Sequence, residues 1–355
     1  LDSRNHVSGV SGVIDTALSS ALGYISIAGS GTGKIKAIAS LVNSNAIAKT
    51  LFMYTLLEDL FLINTMWKEI GDRISQATGK PFEIESHRSV SGGCINQGYK
   101  VVGGNRTYFV KLNRAVDIEM FEAEALGLEQ IKLTQTIRVP HPICTGVTGN
   151  SAYIILEALE FGGGNTKSWA EMGRQLAQMH GTEVSSGTFG WDRNNTIGST
   201  PQINTRTDNW VDFYREHRLG YQFRLARRRG GNFPQEKELL AAVGDLLEGH
   251  DPQPSLVHGD LWSGNAACLV TGEPVIFDPA TYVGDREVDL AITELFGGFP
   301  PAFYQGYHEI FPQNEGYSRR KTLYNLYHIL NHFNLFGGGY GSQANMMVSE
   351  LLRSL

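Results

Sequence analysis

The chain runs to 355 residues, 41% of them hydrophobic and 19% charged, and carries a net charge of −6. That length suits one large or two medium domains, and an acidic balance argues against a nucleic-acid binder, which needs a basic excess to neutralise phosphates. Cys94, Cys144 and Cys268 are too few and too scattered for a disulfide framework or a zinc site, which points to a reducing compartment. There is no run of about 18 uninterrupted apolar residues, so no membrane span is expected. The most apolar stretch, Thr50 to Ile63, is broken by Glu58 and Asp59.

Residues 1–65 are rich in Ser, Ala and Gly, nearly free of acids before Glu58, and begin with Leu1. They suit a targeting segment, a translated non-coding stretch or a fragment of something upstream. The run Gly29 to Ile35 invites a phosphate-loop reading, but Ala28 stands where a glycine is needed and Ile35 where Ser or Thr would hold magnesium. The ordered chain is expected from Met66, with a short helix from Trp67 to Thr78 ended by Gly79-Lys80-Pro81. Strand candidates follow at Phe82 to Val90, Gln97 to Val102 and Thr107 to Leu112, with a tight turn at Gly103-Gly104-Asn105. A helix from Ile118 to Leu133 precedes strands Ile143 to Val147 and Ala152 to Leu156.

After the break at Gly162-Gly163-Gly164, helical patterns dominate: Trp169 to His180, Asn209 to Arg229, Glu236 to His250, Pro301 to Ile310, Arg319 to Phe336 and Ser342 to Leu352. Two short strands, Ser255 to His258 and Val275 to Asp278, interrupt them. The predicted class is α+β in two lobes, a small β-rich lobe over 66–160 and a larger helical one over 161–355. The basic run Arg224, Arg227, Arg228 and Arg229 reads as a solvated helix face, or as a site for an anionic or protein-borne substrate.

The sharpest chemical signal is His258-Gly259-Asp260-Leu261-Trp262-Ser263-Gly264-Asn265, with Asp278 thirteen residues on at the end of an apolar strand. Phosphoryl transfer asks for a carboxylate to take the acceptor hydroxyl's proton and for oxygen ligands that hold magnesium on the phosphates. Asp260 is the expected base, and Asn265 and Asp278 the expected magnesium ligands; His258 is expected to be structural. Lys111, near the end of a strand, can pair the α- and β-phosphates of ATP, with a helix carboxylate holding it there. On the helix from Ile118 the apolar stripe is Ile118, Phe121, Ala125, Leu128 and Ile131. Glu124 flanks that stripe, whereas Glu122 and Glu129 face solvent, so Glu124 is the expected partner. The loop Ser91-Gly92-Gly93-Cys94 would let backbone amides approach phosphate oxygens. Cys94 is there either as a redox-sensitive thiol or as a plain free one. Where the chain crosses between lobes, the peptide groups of Glu157 and Leu159 are candidates to meet the adenine ring.

These segments, with Asp278-Pro279-Ala280, Gly284-Asp285-Arg286-Glu287-Val288-Asp289-Leu290, Phe189-Gly190-Trp191 and Glu294-Leu295-Phe296-Gly297-Gly298-Phe299, resemble the fructosamine kinase family. That family sits within the aminoglycoside phosphotransferase and choline kinase group of protein-kinase-like folds. The resemblance spans Met66 to nearly the C-terminus. It implies transfer of the ATP γ-phosphate to the 3-hydroxyl of a ketosamine, a sugar adduct of a small amine or protein lysine. Phosphate on that carbon lies β to the acidic carbon between amine and ketone, so enolisation expels it and the amine is released: deglycation, a repair function. The resemblance further implies that Trp262 stacks on the sugar, with simple packing as the alternative, and that Glu287 and Asp289 brace the loop around Arg286. It also implies a monomer or homodimer, with redox control through a Cys94 disulfide between chains. The compartment would be the cytoplasm, or a plastid if residues 1–65 include a targeting segment. The competing expectations are a kinase of choline or an aminoglycoside, and a non-catalytic nucleotide-binding module.

Overall fold

A computed structural model describes residues 63–90, 95–184 and 186–355. The chain divides into two compact units, 1–71 and 72–355. Only the opening of a helix over 63–78, α1, is described in the first. The phosphate-loop lookalike at Gly29 to Ile35 lies outside the described residues.

Within the second unit, α1 ends where Gly79 turns into the left-handed region at φ +68. The backbone then folds back so that the Phe82 N–H donates to Ser75 Oγ at 2.7 Å. This is why the strand expected from Phe82 begins only at Ser86: Phe82 packs its ring on Tyr108 at 5.0 Å instead of alternating along a ladder. Five antiparallel strands follow, β1 (Ser86–Val90), β2 (Gln97–Gly103), β3 (Arg106–Arg114), β4 (Pro142–Thr148) and β5 (Ser151–Glu157), in the order β1-β2-β3-β5-β4. The helix α2 (Ile118–Leu133) has the expected bounds. Phe121, Leu128 and Ile131 are buried as the stripe predicts, but Ala123, Glu124 and Gly127 are buried too, so the covered face is wider than the stripe.

The second lobe opens with β6 (Phe161–Gly162), which pairs with β10 (Ala266–Leu269). The glycine run thus holds a strand as well as a break. The helix α3 (Thr166–His180) is capped by Asn165, whose side chain accepts from the N–H groups of Lys167 and Ser168. It crosses α8 (Pro301–His308) at backbone distance. A Cβ on Gly306 would lie 1.9 Å from the Ala170 carbonyl oxygen, and one on Gly173 2.0 Å from that of Phe303. Gly306→Ala is therefore expected to lose at least about 1–3 kcal/mol of stability, the usual cost of overpacking, read as a lower melting temperature. An unchanged melt would mean that this crossing is looser than described.

The helix expected over Asn209 to Arg229 is interrupted. It consists of α4 (Trp210–Phe213), a wider π-type stretch Tyr214–Gly220, and α5 (Tyr221–Arg228). The widened turn carries Arg218, fully buried between the rings of Phe213 and Tyr282 at 4.6 and 4.0 Å and bonded to Ile203 O and Asn204 Oδ1. A π stretch of this kind leaves no mark on hydrophobic periodicity. Of the basic run, Arg227 pairs with Glu236 at the start of α6 (Glu236–Leu246), and Arg229 bonds Asn334 O at 2.6 Å. Part of that helix face is thus tied to its neighbours.

The short elements β7 (Asn195–Ile197), β8 (Thr200–Gln202), β10, β12 (Tyr282–Gly284) and α7 (Glu287–Thr293) were not legible as periodic segments. The strands span only three or four residues, and α7 is buried at all seven positions, so it has no polar face to reveal a period. The expected pair of strands near the phosphoryl motif is present as β9 (Ser255–Val257) and β11 (Pro274–Ile276), each slightly shorter than its expected span. Two antiparallel helices, α9 (Tyr317–Phe336) and α10 (Tyr340–Arg353), complete the lobe and join through Gly337 and Gly338, both at positive φ. Among the described residues no helix is long and apolar enough to cross a membrane.

Candidate active site

A cleft of about 620 Å³ lies between the sheet and the helical lobe, lined from both. Lys111 enters it from β3. Its Nζ is 2.6 Å from Glu124 Oε1 and 2.5 Å from Asp278 Oδ1, although the three residues are far apart in the chain. Burial opposes the ammonium charge, but Asp278 and Glu124 outweigh it and raise the Lys111 pKa above the ordinary lysine value. α2 is steadied from the other lobe, where Trp191 Nε1 donates to Gln130 Oε1 at 2.8 Å and Arg193 pairs with Glu122 at 3.2 Å.

The loop after β9 is fixed by an acid from α7. Asp289 accepts the His258 N–H at 2.7 Å, the Gly259 N–H at 2.8 Å and a bond from His180 at 3.1 Å. His180 in turn meets Tyr307 Oη at 2.8 Å. Gly259 stands at φ +81 with its α-carbon pressed on the Ala280 carbonyl, where a Cβ would come within 2.3 Å. His258 is fully buried, with Nε2 3.0 Å from Phe277 O. Burial lowers its pKa, which keeps the ring neutral and suits the structural part expected of it. The expectation that Asp289 and Glu287 brace the loop around Arg286 needs correcting. Asp289 grips residues 258–259, Glu287 makes a two-pronged pair with Arg320 at 2.6 and 3.0 Å, and Arg286 lies over the Phe311 ring at 4.4 Å.

Asp260 follows that anchored pair and faces the cleft. Burial, and then the charge of Asp278, push its carboxyl up to about 7, with Asn265 pulling the other way. Asn265 Nδ2 donates to the Asp260 carbonyl at 2.8 Å and to Asp260 Oδ2 at 3.3 Å. This leaves the amide oxygen as the end of Asn265 suited to a cation. Asp278 is one of two non-glycine residues at positive φ among those described, at +58, a strained backbone two residues past the end of β11. Asn265 and Asp278 together form an oxygen donor pair of the kind a hard divalent cation takes.

Trp262 is 37% exposed, beside Asp260 in the cleft wall. Its ring lies over Gly264, where a Cβ would fall 2.3 Å from it. Gly92, Gly93 and Cys94 lie outside the described residues. Their neighbours Ile95 and Asn96 line the cleft. At the crossover between lobes, one of the candidate peptide groups is taken up within the protein. The Glu157 N–H donates to the His141 carbonyl at 2.9 Å, and its carboxylate is tied to Arg138 at 2.5 Å, so that N–H is not a donor for a base. Leu159 lines the cleft as expected. Sequence reasoning missed Thr196 and Gly198, which reach the cleft from the β7–β8 hairpin, and three phenylalanines, Phe109, Phe161 and Phe277. Phe109 was within reach, since it stands two residues before Lys111 and so on the same strand face; the hairpin gave no periodic signal.

Residues 66–354 match the family described as fructosamine kinase. A protein of Synechocystis named a probable ketoamine kinase is 62% identical over 287 residues, covering 81% of this chain and 97% of its own. A chloroplastic protein-ribulosamine 3-kinase of Arabidopsis thaliana is 46% identical, covering 78% of this chain and 86% of its own. A crystal structure of a protein from Haemophilus somnus 129PT named a putative fructosamine-3-kinase superposes with a TM-score of 0.75 at 31% identity over 80% of this chain and 96% of that one. An aminoglycoside phosphotransferase bound to ADP and hygromycin B shares the fold alone, with a TM-score of 0.55 at 15% identity, covering 80% of this chain and 98% of its own. From the match over nearly the whole described unit and the identity to these relatives, the chain belongs to the fructosamine kinase family.

Proposed function

We propose that the chain transfers the γ-phosphate of ATP to the 3-hydroxyl of ketosamines, with magnesium as the metal, and so starts the release of the sugar from the amine. The carrying observation is the meeting of Lys111 with both Glu124 and Asp278 at 2.6 and 2.5 Å, beside Asp260 and Asn265. Lys111, held by Glu124, pairs the α- and β-phosphates. Asp278 and the amide oxygen of Asn265 hold the magnesium, which supplies charge neutralisation at the phosphates. Asp260 orients the acceptor hydroxyl and takes its proton, and its raised pKa makes it a better proton acceptor than an exposed aspartate. Trp262 offers the sugar a flat apolar face. In this reading residues 66–160 form the nucleotide lobe and 161–355 the catalytic and acceptor lobe, with 1–65 outside both.

The direct assay compares phosphorylation of fructosamine, ribulosamine and erythrulosamine adducts of lysine with that of choline and an aminoglycoside. Turnover of the ketosamines, followed by release of phosphate and free amine, is expected. Faster turnover of choline or the aminoglycoside would move the chain's activity to the wider group. A non-catalytic module is disfavoured because Lys111, Glu124, Asp260, Asn265 and Asp278 are all present. Gly264→Ala, which must displace the Trp262 ring, is expected to raise KM for the ketosamine about 10-fold and leave KM for ATP unchanged. Equal shifts in both would assign Trp262 to packing.

The same reading extends to regulation and place. Cys94 links two chains under oxidation, so non-reducing gels after peroxide should show a dimer for the native chain and a monomer for Cys94→Ala. Identical mobility and activity would end that idea. Residues 1–65 decide the compartment, a plastid if they include a targeting segment and otherwise the cytoplasm. Imaging a fluorescent fusion of that segment in plant cells separates the two.

A further inference from the structure

The strained backbone at Asp278 has to be held from both sides, since a residue at such a φ persists only where its surroundings over-determine it. Upstream, the Phe277 N–H donates to the Asn265 carbonyl and the Phe277 carbonyl meets His258 Nε2, both at 3.0 Å. Downstream, the hold comes from the β7–β8 hairpin. Gln202, on β8, donates through Nε2 to the Ala280 carbonyl at 2.9 Å, and Asn195, on β7, donates through Nδ2 to the Thr281 carbonyl at 2.8 Å. Both amides are buried, and they are joined to each other and to a cation. Asn195 Oδ1 accepts from Gln202 Nε2 at 2.9 Å and from Asn204 Nδ2 at 2.8 Å, and Asn204 Oδ1 accepts from Arg218 Nη2 at 2.8 Å. An arginine only donates. Asn204 must therefore turn its oxygen to Arg218 and its NH2 to Asn195, whose own NH2 is left for Thr281. Tyr327 Oη, from α9, donates to Gln202 Oε1 at 2.7 Å and so turns that amide's NH2 toward Ala280. An apolar residue of the same size would fill the space without making these bonds, and would leave buried carbonyls unpaired.

We propose that Gln202 is a positioning residue for the metal: by gripping, with Asn195, the two carbonyls that follow Asp278-Pro279, the β7–β8 hairpin fixes the aim of the Asp278 carboxylate. This rests on the reading above that Asp278 holds magnesium on the nucleotide. Removing a group that orients a metal ligand from behind typically costs about 10–100-fold in metal affinity or activity. Gln202 is buried and stands outside the cleft lining, so its loss reaches the metal only through the backbone that it holds.

The test is electron paramagnetic resonance of manganese(II), which takes the same oxygen donors as magnesium, titrated into the full chain with ADP. The native chain is expected to bind the manganese–ADP pair. Gln202→Met, close in volume but without the amide, should weaken manganese binding by about 10–100-fold, and Gln202→Glu, which turns an oxygen on the Ala280 carbonyl, should do the same. Each is read well below its own melting temperature, and either one suffices if the other fails to fold. Tyr327→Phe is the control for stability. It removes the bond to Gln202 Oε1 and leaves Nε2 on Ala280, so it should lower the melting temperature yet keep manganese affinity within about twofold of native. The proposal is overturned if a folded Gln202 variant binds manganese within about twofold of native, or if Tyr327→Phe loses as much affinity as the Gln202 variants do. Should the native chain bind no manganese with ADP, the reading of Asp278 as a metal ligand falls, and this inference with it.

Discussion

Asp260→Ala is expected to lower kcat for ketosamine phosphorylation by about 10²–10⁴-fold, the scale of a positioned proton acceptor, while magnesium ATP still binds. The proposed nucleotide partners Lys111 and Asp278 keep their contacts, and Asn265 loses only its 3.3 Å bond to Asp260 Oδ2 while keeping the one to the Asp260 carbonyl, so binding and chemistry should separate. Asp260→Asn adds a readout of the charge that the buried Asp260 carboxyl carries. The folded state holds the Asp260 carboxyl up to about 7, chiefly by burial and then by the charge of Asp278, whereas an unfolded aspartate titrates near 4. An acid whose pKa rises on folding costs stability once it must ionise. The cost is absent below about pH 4, grows up to about pH 7 and is constant above it. The asparagine variant should therefore melt higher than the native chain at pH 8, with the gap shrinking as the pH falls toward 4. Retained activity in the alanine variant would move the base elsewhere. A stability gap independent of pH would remove the burial of charge as its cause.

Lys111→Met should cost both activity and stability, and the two losses should part company in a double variant. The methionine leaves Glu124 buried without its ammonium, and a buried carboxylate that loses its partner typically costs about 3–5 kcal/mol. Glu124→Gln in the same chain removes the uncompensated charge and should recover most of the melting temperature. On the proposed mechanism it should not recover phosphoryl transfer, because the cation proposed to pair the phosphates is still missing. Recovery of activity along with stability would mean that Lys111 acts only through folding. If Lys111→Met alone keeps the native melt, the pair with Glu124 is not the one that holds this helix to the sheet.

The same separation runs through what was legible before any coordinates. The motif from His258 to Asn265 and the later Asp278 name their chemistry by residue type and spacing, because a proton acceptor and oxygen ligands must follow one another along a short loop and strand end. α2 was legible to the residue, since an amphipathic helix repeats its apolar positions over four turns. Glu124 could be chosen over Glu122 and Glu129 on the same ground. The larger strands of the sheet were legible as well, to within a residue or two, apart from the start of β1.

What could not be read belongs to contacts between distant segments. The bonds from Asp289 to the backbone of residues 258–259 join positions about thirty residues apart. The Trp191–Gln130 bond spans sixty-one, and the Lys111–Asp278 pair one hundred and sixty-seven. No local period encodes such a distance. α7 escaped because it is buried at all seven positions, and a pattern exists only where one face meets water; the short strands escaped because three or four residues are too few to show a period. That the Glu157 N–H is taken by the His141 carbonyl could not be read either, because that acceptor is supplied by the neighbouring strand region and has no side-chain signature. Residue chemistry along the chain was thus enough to fix the kind of reaction and to name candidate groups for it, while the positions of those groups relative to one another, and the rings that flank them, were decided only when the sheet and the helices packed together.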